Sequence, residues 1–293
     1  MNLFIYIYLI MEIILGKTSG FCFGVKSAIS GAEKELEKNK KLYCLGEIIH
    51  NEEVVKSLEK KGLITVNSLK DVSNKALIRA HGVSKDTYEY AKNNNIELID
   101  FTCPFVLKIH DQVSTYSHNN YFIFLLGIKN HPETIGTISF CGNNSYLIEN
   151  LDDIPNAINT FNKCNLTNAL IISQTTFSVS LFNEIVNKIK NTLPNNINLE
   201  IKNTICNTTQ IRQKETEEIA KQVDLMIVIG GKNSSNTKKL YEISQKYCNK
   251  VYLVQTSKDL ISEHFQDTNK IGIIAGASTP QNIIDDIVSF CKK

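Results

Sequence analysis

Three of the eight cysteines in this sequence stand in one kind of place. Cys22 follows the apolar run EIILG and the turn KTSGF, and a helical segment starts near Val25. Cys103 follows IELIDFT and precedes Pro104, a residue favoured at the first position of a helix. Cys206 follows NLEIKNTI and precedes the helical stretch TQIRQKETEEIA. At a strand-to-helix turn the helix N-terminus favours the thiolate, which is the metal-binding form of cysteine. The paired Cys-x-x-Cys steps of a zinc ribbon are absent. Instead, distant parts of the chain would each bring one sulfur to a common centre. A four-iron cluster takes four cysteines when it is structural or carries electrons, so three thiolates leave one iron open to a ligand. The other five cysteines have other settings: Cys44 inside KLYCL, Cys141 after a helix, Cys164 in a loop, and Cys248 and Cys291 near helix ends. They read as buried or free thiols.

The histidines divide in the same way. His50 in GEIIHNEE, His81 in LIRAHGV and His131 in LLGIKNHPE come at or soon after strand ends and point to a shared ligand site. His110 and His118, on a helical stretch, and His264, in a charged loop, read as surface residues. Two turns suit an anion. GGKNSSNTKKL sets Gly230 and Gly231 before Ser234, Ser235 and Asn236 at a helix start. GASTPQN sets Gly276, Ser278 and Thr279 before Pro280 and another helix. Helix-start N–H groups beside hydroxyl and amide side chains cradle phosphates. Neither turn is a Walker loop. Two such turns plus imidazoles suit a diphosphate.

Strands and helices must carry these residues to one another. Apolar runs recur at Glu12–Leu15, Leu42–Leu45, Ala76–Ile78, Glu97–Ile99, Tyr121–Leu126, Ala169–Ile172, Leu225–Ile229, Val251–Val254 and Ile271–Ile274. Amphipathic segments lie between them at Val25–Lys38, Glu52–Lys60, Ser84–Lys92, Ser178–Lys190, Gln210–Val223 and Gln281–Phe290. This alternation predicts an α/β chain with parallel sheets, whose ligands gather beyond the carboxyl ends of strands. With 293 residues, 42% of them hydrophobic, the chain can build its cores without disulfides, and the scattered cysteines fit a reducing compartment. A formal charge of +2 advertises no nucleic-acid surface. The apolar opening MNLFIYIYLIM is shorter than the roughly 20 residues that span a bilayer and lacks a basic leader, so residues 1–10 read as an extension before the strand MEIILG.

Nine pieces in series, GFCFGVKSAI, EIIHN, RAHGV, DFTCP, NHPET, SQTT, TICNTTQIRQ, KNSSN and GAS, carry a resemblance. From about Met11 to the C-terminus the chain resembles the 4-hydroxy-3-methylbut-2-enyl diphosphate reductase (IspH/LytB) family of the non-mevalonate isoprenoid pathway. The resemblance implies three α/β lobes in a pseudo-threefold, trefoil-like arrangement around a central iron–sulfur cluster. Residues 11–23 with 203–293 would form lobe one, 24–103 lobe two and 104–202 lobe three. It implies one 4Fe-4S cluster held by Cys22, Cys103 and Cys206, and a diphosphate pocket of His50, His81, Ser234, Ser235, Asn236 and Ser278 with His131 nearby. Glu133 would be the proton source and Thr175 would hold the substrate hydroxyl in its network, with His131 beside them. The implied reaction is the reductive dehydroxylation of (E)-4-hydroxy-3-methylbut-2-enyl diphosphate to isopentenyl and dimethylallyl diphosphate. It would run in the cytoplasm, with electrons from a ferredoxin or flavodoxin and no nucleic-acid or membrane partner. Three positions depart from the family pattern: Phe23 and Ile211 replace a smaller residue and an asparagine, and Asn130 stands where glycine commonly precedes His-Pro-Glu.

Two opposed effects act on Glu133. The helix start in H-P-E-T favours its charged form, whereas burial beside a diphosphate favours the neutral acid, and burial is expected to dominate in the complex. Two rivals remain at this level. An electron carrier would need a fourth cysteine, for which Cys44 or Cys141 could be proposed. A zinc protein would use a Cys₃His site.

Overall fold

The computed structural model describes residues 11–292, so the expected extension at residues 1–10 lies outside the described residues. Twelve strands alternate with ten α-helices along the described chain. The strands are β1 (Glu12–Leu15), β2 (Leu42–Leu45), β3 (Leu63–Val66), β4 (Lys75–Ile78), β5 (Glu97–Asp100), β6 (Phe122–Leu126), β7 (Ser145–Ile148), β8 (Asn168–Ser173), β9 (Asn198–Lys202), β10 (Leu225–Ile229), β11 (Lys250–Val254) and β12 (Lys270–Ala275). The helices are α1 (Phe23–Lys38), α2 (Glu52–Lys60), α3 (Lys85–Asn93), α4 (Pro104–His118), α5 (Pro132–Ile138), α6 (Ile154–Lys163), α7 (Val179–Thr192), α8 (Asn207–Ala220), α9 (Ser235–Tyr247) and α10 (Gln281–Cys291).

The strands form three four-stranded sheets, ordered β3-β2-β4-β5, β7-β6-β8-β9 and β1-β12-β10-β11. Every pairing is parallel. These are the parallel α/β sheets that the alternation predicts, three in number as the family resemblance implies. Counted along its own stretch of chain, each sheet follows one scheme: second strand, first, third, fourth. The last sheet obeys it because β1, the N-terminal strand, serves as its fourth. In such a sheet the chain winds outward in opposite directions from the first and third strands, and ligands collect at their carboxyl ends.

The chain divides into two compact units. Cys22–Gln210 carries the sheets of β2–β5 and β6–β9, and the segments up to Phe21 and from Ile211 onward carry the third sheet. In the first unit β6 (FIFLL) is buried along its whole length. Phe122, Phe124 and Leu126 pack with Phe161, Phe182 and Ile185 on one face, and Ile123 and Leu125 pack with Ile109 and Val113 on the other. Alternation along a strand covered on both faces produces this division. Each such side chain contributes about 1.5–3 kcal/mol by leaving water. In the second unit β10 does the same, with Leu225, Ile227 and Ile229 against α10 and Met226 and Val228 against α8 and α9.

The runs expected from the sequence coincide with all six interior strands and with the edge strands β1, β5 and β11. Three strands fall outside them, β3, β7 and β9, and all three are sheet edges whose residues are half-buried or exposed for the most part. An edge strand covered on fewer sides needs no continuous apolar run. No helix among the described residues is long and apolar enough to cross a membrane.

Candidate functional site

The repeated topology sorts the reactive residues. Cys103, Cys206 and Cys22 follow β5, β9 and β1, the fourth strands of the three sheets. His50, His81, His131, Thr175, Ser234–Asn236 and Ser278 follow the first and third strands β2, β4, β6, β8, β10 and β12. One set of strand ends carries sulfur and the other carries imidazole, hydroxyl and amide groups.

Cys22 and Cys103 are the N-cap residues of α1 and α4, and neither side chain caps its helix. Cys206 directly precedes α8, and its carbonyl accepts from the Gln210 N–H at 3.0 Å. All eight cysteines are free thiols. Burial pushes the Cys103 thiol up, the helix-start N–H groups of Phe105 and Val106 pull it down, and repulsion from both Cys22 and Cys206 pushes it up again. Cys103 therefore feels each of the other two sulfurs. Gly24 permits this approach, since a Cβ there would lie 2.7 Å from Cys103 Sγ. Three thiols at helix starts, one of them repelled by the other two, fit a cationic metal group that accepts thiolates. Cys44 and Cys141 do not extend this set. Each is fully buried, and burial pushes each thiol up to about 12. Phe23, Asn130 and Ile211, the departures from the family pattern, are all exposed.

His50, His81 and His131 meet as one cluster. The rings of His50 and His81 stack with centroids 4.6 Å apart, and His131 stands edge-on to both at 5.7 and 5.3 Å. One nitrogen from each ring lies within 4.8 Å of the others. Burial first, then the neighbouring imidazoles and Arg79, lower the pKa of His81 well below its ordinary value. Burial, His50 and Arg79 lower that of His131 to about 3. His131 Nδ1 accepts the Glu133 N–H at 3.1 Å, which leaves the proton of the neutral ring on Nε2. That tautomer offers an N–H rather than a lone pair, so the cluster suits an anion better than a cation.

Glu133 is buried in the first turn of α5. The Thr175 backbone N–H donates to Oε1 at 2.6 Å and the Thr175 hydroxyl to Oε2 at 2.7 Å. Burial raises its pKa to about 7 against the lowering effect of these two bonds. The expected dominance of burial thus holds without any ligand. Gln174 Oε1 ties the loop together by accepting from the Ile128 N–H and the Thr134 hydroxyl at 3.0 and 3.2 Å. The Thr175 carbonyl accepts the Cys206 N–H at 2.9 Å, which joins this acid to the third thiol through two residues.

In the other unit, Ser234 caps α9 by accepting the Thr237 N–H at 3.3 Å. Ser235, Asn236 and Ser278 are buried, and Asn236 Nδ2 has no hydrogen-bond partner. A buried amide donor thus stands at the start of a 13-residue helix, where backbone N–H groups favour anions.

One expectation is corrected. His110 is not a surface residue: it is 4% exposed, stacks on Phe140 at 4.5 Å and has its pKa lowered to about 4 by burial. It lies on the face of α4 that packs against α5. His118 is exposed as expected, and His264 is half-buried against Tyr252. Sequence reasoning also passed over Glu47 and Arg79. Both stand inside the quoted motifs, but their charges show no purpose until the fold sets them beside the imidazoles.

Fold and site together define a class: a three-sheet α/β protein with a group of three thiols, a half-buried imidazole cluster and a buried carboxylic acid. The chain belongs to the LytB protein family, whose model matches residues 13–292. It is 39% identical to the 4-hydroxy-3-methylbut-2-enyl diphosphate reductase of Thermoanaerobacter sp. (strain X514), across 95% of this chain and 96% of that protein. It is 40% identical to the protein of the same name from Clostridioides difficile (strain 630), across 96% and 99%. The solved structure of the E-1-hydroxy-2-methyl-but-2-enyl-4-diphosphate reductase from Plasmodium falciparum superimposes with a TM-score of 0.87 at 35% identity, covering 95% of this chain and 87% of that one.

Proposed function

We propose that this chain is an iron–sulfur oxidoreductase that removes the hydroxyl of (E)-4-hydroxy-3-methylbut-2-enyl diphosphate, yielding isopentenyl and dimethylallyl diphosphate as the last step of the non-mevalonate pathway. The observation that carries this reading is the convergence of Cys22, Cys103 and Cys206, each at a strand-to-helix turn, with Cys103 repelled by the other two. These residues would hold one 4Fe-4S cluster, leaving one iron without a cysteine. Bound there, the cluster supplies two electrons, one at a time. The lobes would be 11–23 with 203–293, 24–103 and 104–202. The electron donor is a ferredoxin or flavodoxin, and the reaction takes place in the cytoplasm.

The overall change breaks one allylic C–O bond, consumes two electrons and two protons, and releases water. Glu133, neutral below a pKa of about 7, holds a proton for the leaving oxygen. The Thr175 hydroxyl fixes the orientation of that carboxyl and is placed to bond the substrate hydroxyl in turn. The second proton goes to either end of the allyl unit, which gives the two products. His50, His81 and His131, with Ser234, Ser235, Asn236 and Ser278, hold the diphosphate. His131 does so as a neutral Nε2–H donor fixed by the Glu133 N–H. Burial of Glu133 keeps bulk water from its proton.

The test is anaerobic reconstitution followed by a reductant-driven assay for the two five-carbon diphosphates. The reading expects iron and acid-labile sulfide in cluster stoichiometry, both products, and loss of iron in each of Cys22→Ser, Cys103→Ser and Cys206→Ser. Stoichiometric zinc, or a loaded protein that forms neither product, would refute it.

A further inference from the structure

We propose that Glu47 is a positioning residue which makes His50 the one imidazole of the cluster to carry positive charge when a diphosphate is bound. This rests on the diphosphate reading above and adds to it the protonation state of the clamp. The argument starts from what each ring does with its nitrogens. His131 Nδ1 accepts an N–H, so protonating that nitrogen would break the bond that orients the ring. His81 is half-buried, and its Nδ1 has no hydrogen-bond partner to stabilise a charge. His50 alone of the three has a carboxylate within reach, with Nδ1 3.2 Å from Glu47 Oε2.

A carboxylate accepts and does not donate, so His50 gives it the Nδ1 proton. A neutral ring in that tautomer has a bare lone pair at Nε2, which repels a phosphate oxygen. To bind the anion, His50 must gain a second proton at Nε2. The resulting imidazolium donates to Glu47 on one side and to phosphate on the other, two charge-assisted bonds in line. The neighbours confine the charge to this ring. Glu47 in its own loop, His81 after β4 and His131 at the start of α5 all face His50. Arg79 acts on this set from behind. Its guanidinium packs on Gly46, whose positive φ of 72° and missing Cβ leave the space, and it attracts Glu47 while opposing charge on His81 and His131. Burial first, then the neighbouring rings and this permanent cation, keep His81 and His131 neutral, and one carboxylate selects the third ring.

The experiment is titration calorimetry of the cluster-loaded protein with isopentenyl diphosphate at pH 8, run anaerobically in two buffers of different ionisation enthalpy. At that pH a phosphate with a last pKa of about 6 is fully ionised, so any proton taken up goes to the protein. An ordinary imidazole, with a pKa of about 6.5, starts neutral. Wild type is expected to take up about one proton per ligand bound. Glu47→Gln keeps the side-chain shape and is 43% exposed, so it spares the fold. It is expected to take up less than half as much, to bind about tenfold more weakly at pH 8, and to narrow that gap at pH 6. Glu47→Asp should recover most of the affinity and the uptake. Wild-type binding without proton uptake, or a Glu47→Gln variant with unchanged uptake and affinity, overturns the proposal while leaving the diphosphate reading intact. A wild-type protein that does not bind the ligand overturns that reading and the proposal with it.

Discussion

Glu133→Gln tests the buried acid through stability as well as through turnover. Burial raises the pKa of Glu133 from 4.5 to about 7 in the folded chain. Because the folded value lies above the unfolded one, the protonated carboxyl stabilises the native state. That contribution is full below pH 4.5 and is lost as pH rises through about 7. One pKa unit corresponds to about 1.4 kcal/mol, so the full effect is about 3 kcal/mol, and about 2 kcal/mol of it falls between pH 5.5 and 8. Glutamine has no proton to lose. It meets the Thr175 N–H and hydroxyl less well than a carboxylate does, but that penalty is independent of pH. The difference in unfolding free energy, variant minus wild type, should therefore climb by about 2 kcal/mol from pH 5.5 to pH 8, while every other titrating group cancels. Anaerobic urea unfolding of the loaded proteins, followed by far-UV circular dichroism at several pH values, measures it. Turnover of the variant should fall by about 100-fold or more at unchanged iron content. Parallel stability curves for the two proteins would show that Glu133 is ionised throughout this range, and the acid assignment would go with them.

Thr175→Val removes one of the two hydrogen bonds that hold the Glu133 carboxylate in its charged form. The alkaline limb of the pH–rate profile should move up by about one unit, and Thr175→Ser should restore it; an unmoved limb refutes the link. Gly24→Ala places a methyl 2.7 Å from Cys103 Sγ, so iron content after reconstitution should fall by half or more, with helix content by circular dichroism unchanged. Full iron loading would show that the thiols do not need that space. Arg212 is fully buried, and its guanidinium donates to the carbonyls of Thr18 and, at 2.9 Å, Gly20, in the turn that follows β1. Arg212→Ala leaves those carbonyls without their donor and should cost about 3 kcal/mol in urea unfolding, Arg212→Lys less; a loss under 1 kcal/mol (about the size of an ordinary surface change) would refute this.

The parts of this fold that were legible in the sequence were those paid in apolar residues. β6, β8, β10 and β12 lie inside their sheets and read as unbroken runs, because a parallel strand with helices on both faces has no solvent side. β3, β7 and β9, at sheet edges, left no such trace. The site divides on a similar line. The cysteines and the three strand-end histidines could be found because strand-to-helix turns are visible in one dimension. The shared order of the three sheets was not visible, since β1 completes a sheet whose other strands come more than 200 residues later. That order is what gives the residues their sorting. Fourth strands lead to thiols, whereas first and third strands lead to imidazole, hydroxyl, amide and carboxyl groups. Glu47 and Arg79 were passed over for the same reason: a charge three residues before one histidine and another two before the next look like solvated polarity until the sheet places β2 and β4 side by side. Pairing those two strands brings a carboxylate, a guanidinium and two imidazoles to one edge. The chemistry of each is then set by the other three rather than by its own side chain.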